Sequence, residues 1–316
     1  MTELTPVLQP LTNAVTQPAD RRKFIGGSDI AAILGISPWR TAADLWLDKI
    51  TPPTPETDTK TSKRAKARGT RLEPYILDMI QEEHGITATA RNARYIDTQV
   101  PHFACEIDAE AHEPGPGGIV TVNLELKTVH PFMAKEWGDL DTDSLPLHYL
   151  AQVQWGLGVT QRSLCRVFAL IGDDLRPYVV RRDDETIDAM RRRAEHFWNE
   201  YVARKVQPPL DYADSRTLDT LRRLYPGTDG STINATAAHE HWRAVLETAQ
   251  EMVKKYEGVV DGAKAHLLAE MGNAALLRYG DGKAFRRKEV RTKAVTIEKP
   301  AGRFMDFRLV NLKEEA

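Results

Sequence analysis

The sequence predicts a mixed fold of the α/β (α+β) class. Apolar residues recur at helical spacing in segments 30–34, 45–50, 72–80 and 187–201. Shorter runs with the character of strands lie between the last two of these, at 102–109, 119–127, 163–170 and 177–182. A hydrophobic share of 41% over 316 residues supplies ample material for a buried core. The charged share of 28% is ordinary for a water-facing domain.

Taken in order, residues 1–20 are rich in Thr, Pro and Gln and read as a flexible N-terminal arm. Ser28 reads as an N-cap, with Ile30, Ala31, Ile33 and Leu34 forming the buried side of a short helix that Gly35 ends. Ser37-Pro38-Trp39 turns the chain, and Thr41 caps a second helix carrying Leu45, Trp46 and Ile50. Residues 51–59 form a Pro/Thr linker. Residues 60–71, KTSKRAKARGTR, hold six Lys or Arg and no acid. Taken alone, such a run is equally a solvated face or a surface that tracks phosphates, with Arg68 among its contacts. A helix with Leu72, Ile76, Leu77 and Ile80 on one side runs on to Gly85, with Pro74 in its first turn or kinking it.

Strand-like runs follow. Residues 93–97 are short, and 102–109 contain Asp108. His112 to Gly118 signals a turn. Alternation along 119–127 sets Glu125 and Lys127 on one face and Leu124 and Leu126 on the other. Residues 149–158 read as helix, and residues 185–203 as a helix with Ile187, Met190, Ala194, Phe197, Trp198 and Tyr201 in one stripe. Arg191, Arg192 and Arg193 read as its solvated face. Trp46, Trp155 and Trp198 read as core, while Trp39 in its turn is the exception that could wedge against DNA. Pro208-Pro209 closes this unit, and 210–233 form a connector. The accessory region 234–316 holds a long, partly amphipathic helix from His239 to Met271, weakened by Gly258 and Gly262. A small hairpin or sheet follows within 276–312. Residues 286–293, RRKEVRTK, read equally as a second DNA contact or a hairpin exterior.

Several classes are excluded. A net charge of −2 rules out a general coat of positive charge, so any nucleic-acid surface is local. Two distant cysteines, Cys105 and Cys165, support neither a disulfide framework nor a zinc ribbon. No apolar stretch has the length of a membrane span, and the first residues lack a secretion signal. These features predict a cytoplasmic protein.

The chemistry points to Asp108 and to Glu125-Leu126-Lys127. Two carboxylates and an ammonium at adjoining strand ends can hold a divalent metal and activate water against a phosphodiester. Asp108 and Glu125 are hard oxygen donors suited to Mg²⁺. Lys127 would hold the attacking water and favour its deprotonation. Glu73 would add a carboxylate if it reaches the site, and two ions roughly 4 Å apart could then serve the attacking and leaving oxygens. Each residue has a bland alternative: Ser28 as a cap alone, Glu73 as a first-turn acid beside a helix dipole, Gln152 as a polar helix residue, Lys127 as a solvated strand end.

The segments around these residues resemble a family. Arg22 to Asp29 (RKFIGGSD) and the following IAAILGISPWRTAADLW look like the opening of the YqaJ-like viral recombinase nucleases. Arg68-Gly69-Thr70-Arg71-Leu72-Glu73-Pro74 is similar to their Gly-x-x-x-Glu-Pro element, and Asp108 with Glu125-x-Lys127 to their metal motif. Tyr149-Leu150-Ala151-Gln152-Val153-Gln154 is similar to a motif shared with lambda exonuclease. The resemblance covers about Arg21 to Pro209. It implies the PD-(D/E)xK restriction-endonuclease-like core, a central mixed sheet flanked by helices, here with a C-terminal helix plus small β extension. It also implies a Mg²⁺-dependent exonuclease, one or two ions with Mn²⁺ as substitute, acting 5′ to 3′ on double-stranded DNA ends in phage-type recombination. A single-strand annealing protein would be its partner, and a homo-oligomer such as a ring trimer its assembly. By the same resemblance the Leu126 carbonyl completes a metal shell and Gln152 orients Lys127 or a phosphate, with Tyr149 on the same helical face. Arg21 or Arg22, together with Ser28, would bind the terminal phosphate. An endonuclease or repair nuclease on the same fold, and a DNA-binding adaptor that has lost catalysis, are the competing readings. The intact Asp108, Glu125 and Lys127 set speaks against the second.

Overall fold

A five-stranded mixed sheet organises the first unit of the computed structural model, which describes residues 20–52, 60–115, 117–291 and 307. The strands are β1 (Ala88–Ile96), β2 (Ala104–Gly115), β3 (Gly118–Val129), β4 (Leu164–Ile171) and β5 (Asp174–Arg181), in spatial order β1-β2-β3-β4-β5. Neighbours are antiparallel except β3 and β4, which run parallel. A parallel pair needs a crossover, and the helix α4 (Leu147–Thr160) lies on that connection.

The helices α1 (Gly27–Ile33), α2 (Ala42–Ile50), α3 (Lys60–His84) and α5 (Asp184–His196) complete the layers. On one side of the sheet, Ile30 of α1, Leu45 of α2, Trp155 and Leu157 of α4 and Ile187 of α5 share a core with Tyr95, Cys105 and Val167. On the other, Ile76, Leu77 and Ile80 of α3 cover Ala109, Val122, Leu124, Leu126 and Phe168. Each fully buried Leu or Ile contributes about 1.5–3 kcal/mol, so the alternation of β3 is held from both faces. Trp46, Trp155 and Trp198 take the packed roles expected of them: the Trp155 indole donates to the Ala104 carbonyl at 2.9 Å, and Trp198 stacks on His102 at 4.6 Å.

The caps explain where the helices start. Thr41 and Asp44 exchange backbone-to-side-chain bonds of 3.0 and 3.1 Å at the head of α2. At α1 the cap is Gly26 and not Ser28. Asp29, at the third helical position, reaches back to accept the Gly26 amide at 3.0 Å, which leaves Ser28 inside the first turn. The basic run is helical from Lys60, so Pro74 lies in the interior of α3 and not in its first turn. Having no N–H, it offers the Thr70 carbonyl no helical partner. The turn expected over His112–Gly118 contracts to a corner, because β2 continues to Gly115, paired with Gly118. Gly117 at φ +87° and Gly118 at φ +131° take the conformations that corner requires. Strand β1 also starts earlier than its expected span, at Ala88. Arg191 is not a solvated face residue; it grips the buried Asp97 through two bonds of 2.5 and 3.0 Å.

The first unit continues beyond Pro209 to Leu224. The helix α6 (Thr217–Leu224) lies on α2, where Thr220 Oγ1 and Arg223 Nη1 both donate to Asp44 Oδ1 at 2.9 Å. Residues 210–224 of the expected 210–233 connector thus belong to the first unit. The second unit, from Tyr225, holds α7 (Ala237–Met271) and a hairpin of β6 (Leu276–Arg278) and β7 (Ala284–Arg286). α7 runs unbroken through Gly258 and Gly262. The N-terminal arm, most of the Pro/Thr linker and the chain after Arg291, Phe307 apart, lie outside the described residues. Among the described residues no helix is long and apolar enough to cross a membrane.

Candidate active site

The ladder between β2 and β3 runs from Gly115 opposite Gly118 to Ala109 opposite Leu124. At Asp108 the alternation of β2 changes: Cys105 and Ile107 pack in one core, Ala109 and Ala111 in the other. Beyond that point β3 keeps its bonds to β4 through Val129. Asp108 Oδ2 accepts the Leu126 amide at 2.8 Å. Asp108 and Glu125 thereby meet where two strands part.

Glu125 is 5% exposed. Its Oε1 accepts a bond of 2.6 Å from Gln152 Nε2 and pairs with Lys127 Nζ. Lys127 Nζ also stands 5.1 Å over the Tyr149 ring. Tyr149 and Gln152 are three residues apart, so α4 presents both to β3. Burial pushes the Glu125 carboxyl up, to about 7; Lys127 opposes the rise and Asp108 adds to it. Burial penalises the Lys127 ammonium, but Glu125 and Asp108 outweigh that and hold its pKa above the ordinary lysine value. The two directions pull apart, one toward a neutral acid and one toward a charged amine. The amine stays charged, because it is the cation shared by both acids.

α3 brings the third acid. A Cβ on Gly69 would stand 3.7 Å from Thr128 Oγ1, one residue past Lys127. Glu73 follows one turn later. Burial raises its pKa, the Asp108 charge adds to that, and Lys127 opposes it. Leu126 serves the site through its backbone, while its side chain packs under α3.

Among the described residues no three His, Cys, Asp or Glu side chains form a ready-made metal cluster. The donor chemistry still fits a hard cation. Three acids lean on a single ammonium, and Mg²⁺ usually takes one or two carboxylates plus water and substrate phosphates. Asp108 and Glu125, with the Leu126 carbonyl and Glu73, are the groups that would hold one.

A second cluster adjoins the first. Arg21 Nη2 donates to Ser28 Oγ at 2.7 Å, whereas Arg22 is turned to the Thr51 carbonyl at 3.2 Å. Lys49 Nζ donates to the Arg21 carbonyl at 2.6 Å, the Phe24 carbonyl at 2.5 Å and Asp29 Oδ2 at 2.7 Å, and Arg40 adds a second pairing to Asp29. Burial alone would raise the Asp29 pKa, but Lys49 and Arg40 lower it to about 2; burial lowers that of Lys49, against the pull of Asp29. A Cβ on Gly27 would stand 3.1 Å from Gln152 Cγ and 3.3 Å from its carbonyl oxygen, so bare backbone joins the two clusters. Arg68 is exposed on α3. Trp39 is 66% exposed and packs edge-on against His148, with the ring centroids 4.8 Å apart.

The reading of the sequence missed Asp29, Lys49 and Arg40. Asp29 lies in the RKFIGGSD segment, but nothing local pairs it with a lysine twenty residues on.

The YqaJ-like viral recombinase domain family matches residues 18–163. Over 259 residues the chain is 31% identical to the uncharacterized protein YqaJ of Bacillus subtilis (strain 168), covering 81% of this chain and 77% of that one. Among solved structures, LHK-Exo in complex with dAMP is similar at 18% identity and TM-score 0.46, over 65% of this chain and 95% of that one. A phage related exonuclease from Haemophilus somnus 129PT is similar at 14% identity and TM-score 0.41, over 58% and 96%.

Proposed function

Because this chain belongs to the YqaJ-like viral recombinase family, we propose that it is a metal-dependent deoxyribonuclease, an exonuclease that hydrolyses double-stranded DNA from its ends in phage-type recombination. The observation that carries this reading is the meeting of Asp108, Glu125 and Lys127, with Gln152 beside them, where β2 and β3 part. Asp108 and Glu125 would hold Mg²⁺, or Mn²⁺ in its place, which would supply charge stabilisation and water activation when bound. Lys127 would donate from Nζ to an attacking water or to a phosphate oxygen. Gln152 fixes the Glu125 carboxylate in one orientation, and α3 offers Glu73 as a further acid.

Arg21 and Ser28 supply direction. A guanidinium and a hydroxyl already in contact suit a terminal phosphate through charge-assisted bonds. Lys49 secures the Arg21 main chain, so that pair is organised before substrate arrives. A pocket for a 5′ phosphate beside the acids would feed one strand past them in the 5′-to-3′ sense without reading bases. The exposed bases of α3, Arg68 among them, suit the DNA backbone leading in.

The test is an end-labelled linear duplex, with and without a 5′ phosphate, beside a closed circle, in Mg²⁺, Mn²⁺ and EDTA. Nucleotide release from phosphorylated ends in metal alone is expected. Cutting of closed circles would move the protein to the endonuclease reading. No hydrolysis in any metal would leave a DNA-binding adaptor.

A further inference from the structure

Trp39 links the two clusters and belongs to neither. Its chain neighbour Arg40 donates from Nη2 to the Ser28 carbonyl at 3.2 Å and pairs with Asp29, which ties the turn to the cluster around Arg21. Its ring packs at right angles to His148 and lies 6.0 Å from the Tyr149 ring, over which Lys127 Nζ stands at 5.1 Å. Trp39 therefore meets the Arg21–Ser28 side through its neighbour and the acid side through its ring. All of these contacts lie within the first unit.

The ring is held in place and still open. Ser37 Oγ accepts the amides of Trp39 and Arg40 at 3.2 and 3.3 Å, Arg216 Nη1 donates to the Ser37 carbonyl, and Pro38 has a fixed φ between them. Beside the indole, His148 Nε2 is buried with no hydrogen-bond partner among the described residues, so the imidazole serves there as a packing surface. Burial lowers the His148 pKa against the pull of Glu136, which keeps that surface uncharged. Yet two thirds of Trp39 stays in solvent. A flat apolar ring fixed from behind loses little freedom when a flat partner covers it. A terminal phosphate on Arg21 and Ser28, with the next phosphate at the acids, leaves one nucleoside between them, beside Trp39. Every base has a π face, so an indole can hold any nucleotide without reading sequence. Its base must leave the pair to reach the ring, and stacking offsets part of that cost. On the nuclease reading, we propose that Trp39 stacks on the base of the 5′-terminal nucleotide and positions it while the bond to the next nucleotide is cut.

The test is fluorescence anisotropy in EDTA, with the full-length protein and two 5′-phosphorylated duplexes. One is intact; the other carries an abasic tetrahydrofuran in place of the 5′-terminal nucleoside. Wild type should favour the intact end by about tenfold. Trp39→Ala should bind the intact end about tenfold more weakly and the two ends equally, while Trp39→Phe keeps most of the preference. The thermal unfolding midpoint should not move in either variant, because the ring is largely exposed. A preference for the intact end that survives Trp39→Ala, or a wild type with no such preference, would overturn the stack and leave the ring for a protein partner. Cleavage in Mg²⁺ separates this from the nuclease reading. A wild type that releases nucleotides yet binds both ends equally would remove the role of Trp39 alone. One that discriminates between the ends yet releases nothing would count against the nuclease reading and leave the stack in place.

Discussion

Asp108 completes the β2–β3 ladder with its side chain, taking the Leu126 amide at 2.8 Å just past the last strand pair. One carboxylate thus anchors the strand that carries Glu125 and Lys127 while offering its remaining lone pairs to the site.

That dual duty separates two substitutions. Asp108→Ala strands the Leu126 N–H and should cost about 1–3 kcal/mol in urea unfolding. Asp108→Asn keeps an oxygen for the amide and should stay within about 1 kcal/mol of wild type, yet lose cleavage of an end-labelled duplex because the charge is gone. An Asn variant that cuts normally would remove Asp108 from the chemistry.

Lys127→Ala and Glu125→Gln should each lower single-turnover cleavage by about a hundredfold or more, the scale of losing an aimed electrostatic group. DNA affinity in EDTA, followed by fluorescence anisotropy, should change little. Wild-type rates in either variant would refute the site.

Gly27→Ala is expected to act at a distance. Its new Cβ presses on Gln152 at 3.1 Å, so α1 and α4 must separate by a few tenths of an ångström. Turnover should fall roughly tenfold through misplacement of Gln152. Ser28→Ala disturbs no such packing and should instead reduce the preference for 5′-phosphorylated ends. Equal behaviour of both variants on both substrates would argue against two linked clusters.

Acid stability should report Asp29. Its pKa drops from 3.8 to about 2 because Lys49 and Arg40 overcome the cost of burial. A depressed acid stabilises the fold above its unfolded pKa, so roughly 2 kcal/mol is present above pH ~4 and fades as pH falls toward ~2. Denaturant melts of wild type and Asp29→Asn should converge over that window. A constant gap between them would show that the pair carries no such linkage.

Much of the site was legible because it rests on local rules. Glu125 and Lys127 share a face in any extended chain, and Tyr149 and Gln152 share one in any helix. The Asp29–Lys49 pair was not legible, since charged residues read as solvent-facing until a fold buries them together. Ser28 looked like a cap because its residue type favours that position; Gly26 took it once Asp29 folded back. The helix α6 looked like connector because its hold on Asp44 spans about 180 residues of chain.

Composition, periodicity and spacing alone determined a mixed fold in which Glu125 and Lys127 share one face of a strand, since side-chain direction follows from the backbone within a few residues; the expected placement at strand ends did not hold, because β2 and β3 both run on past the site. Only tertiary structure decided that β2 leaves β3 at Asp108, that α3 delivers Glu73 and α4 delivers Gln152 to that gap, and that Arg21 rather than Arg22 faces Ser28. Those outcomes depend on register and packing between distant segments, which no local pattern encodes.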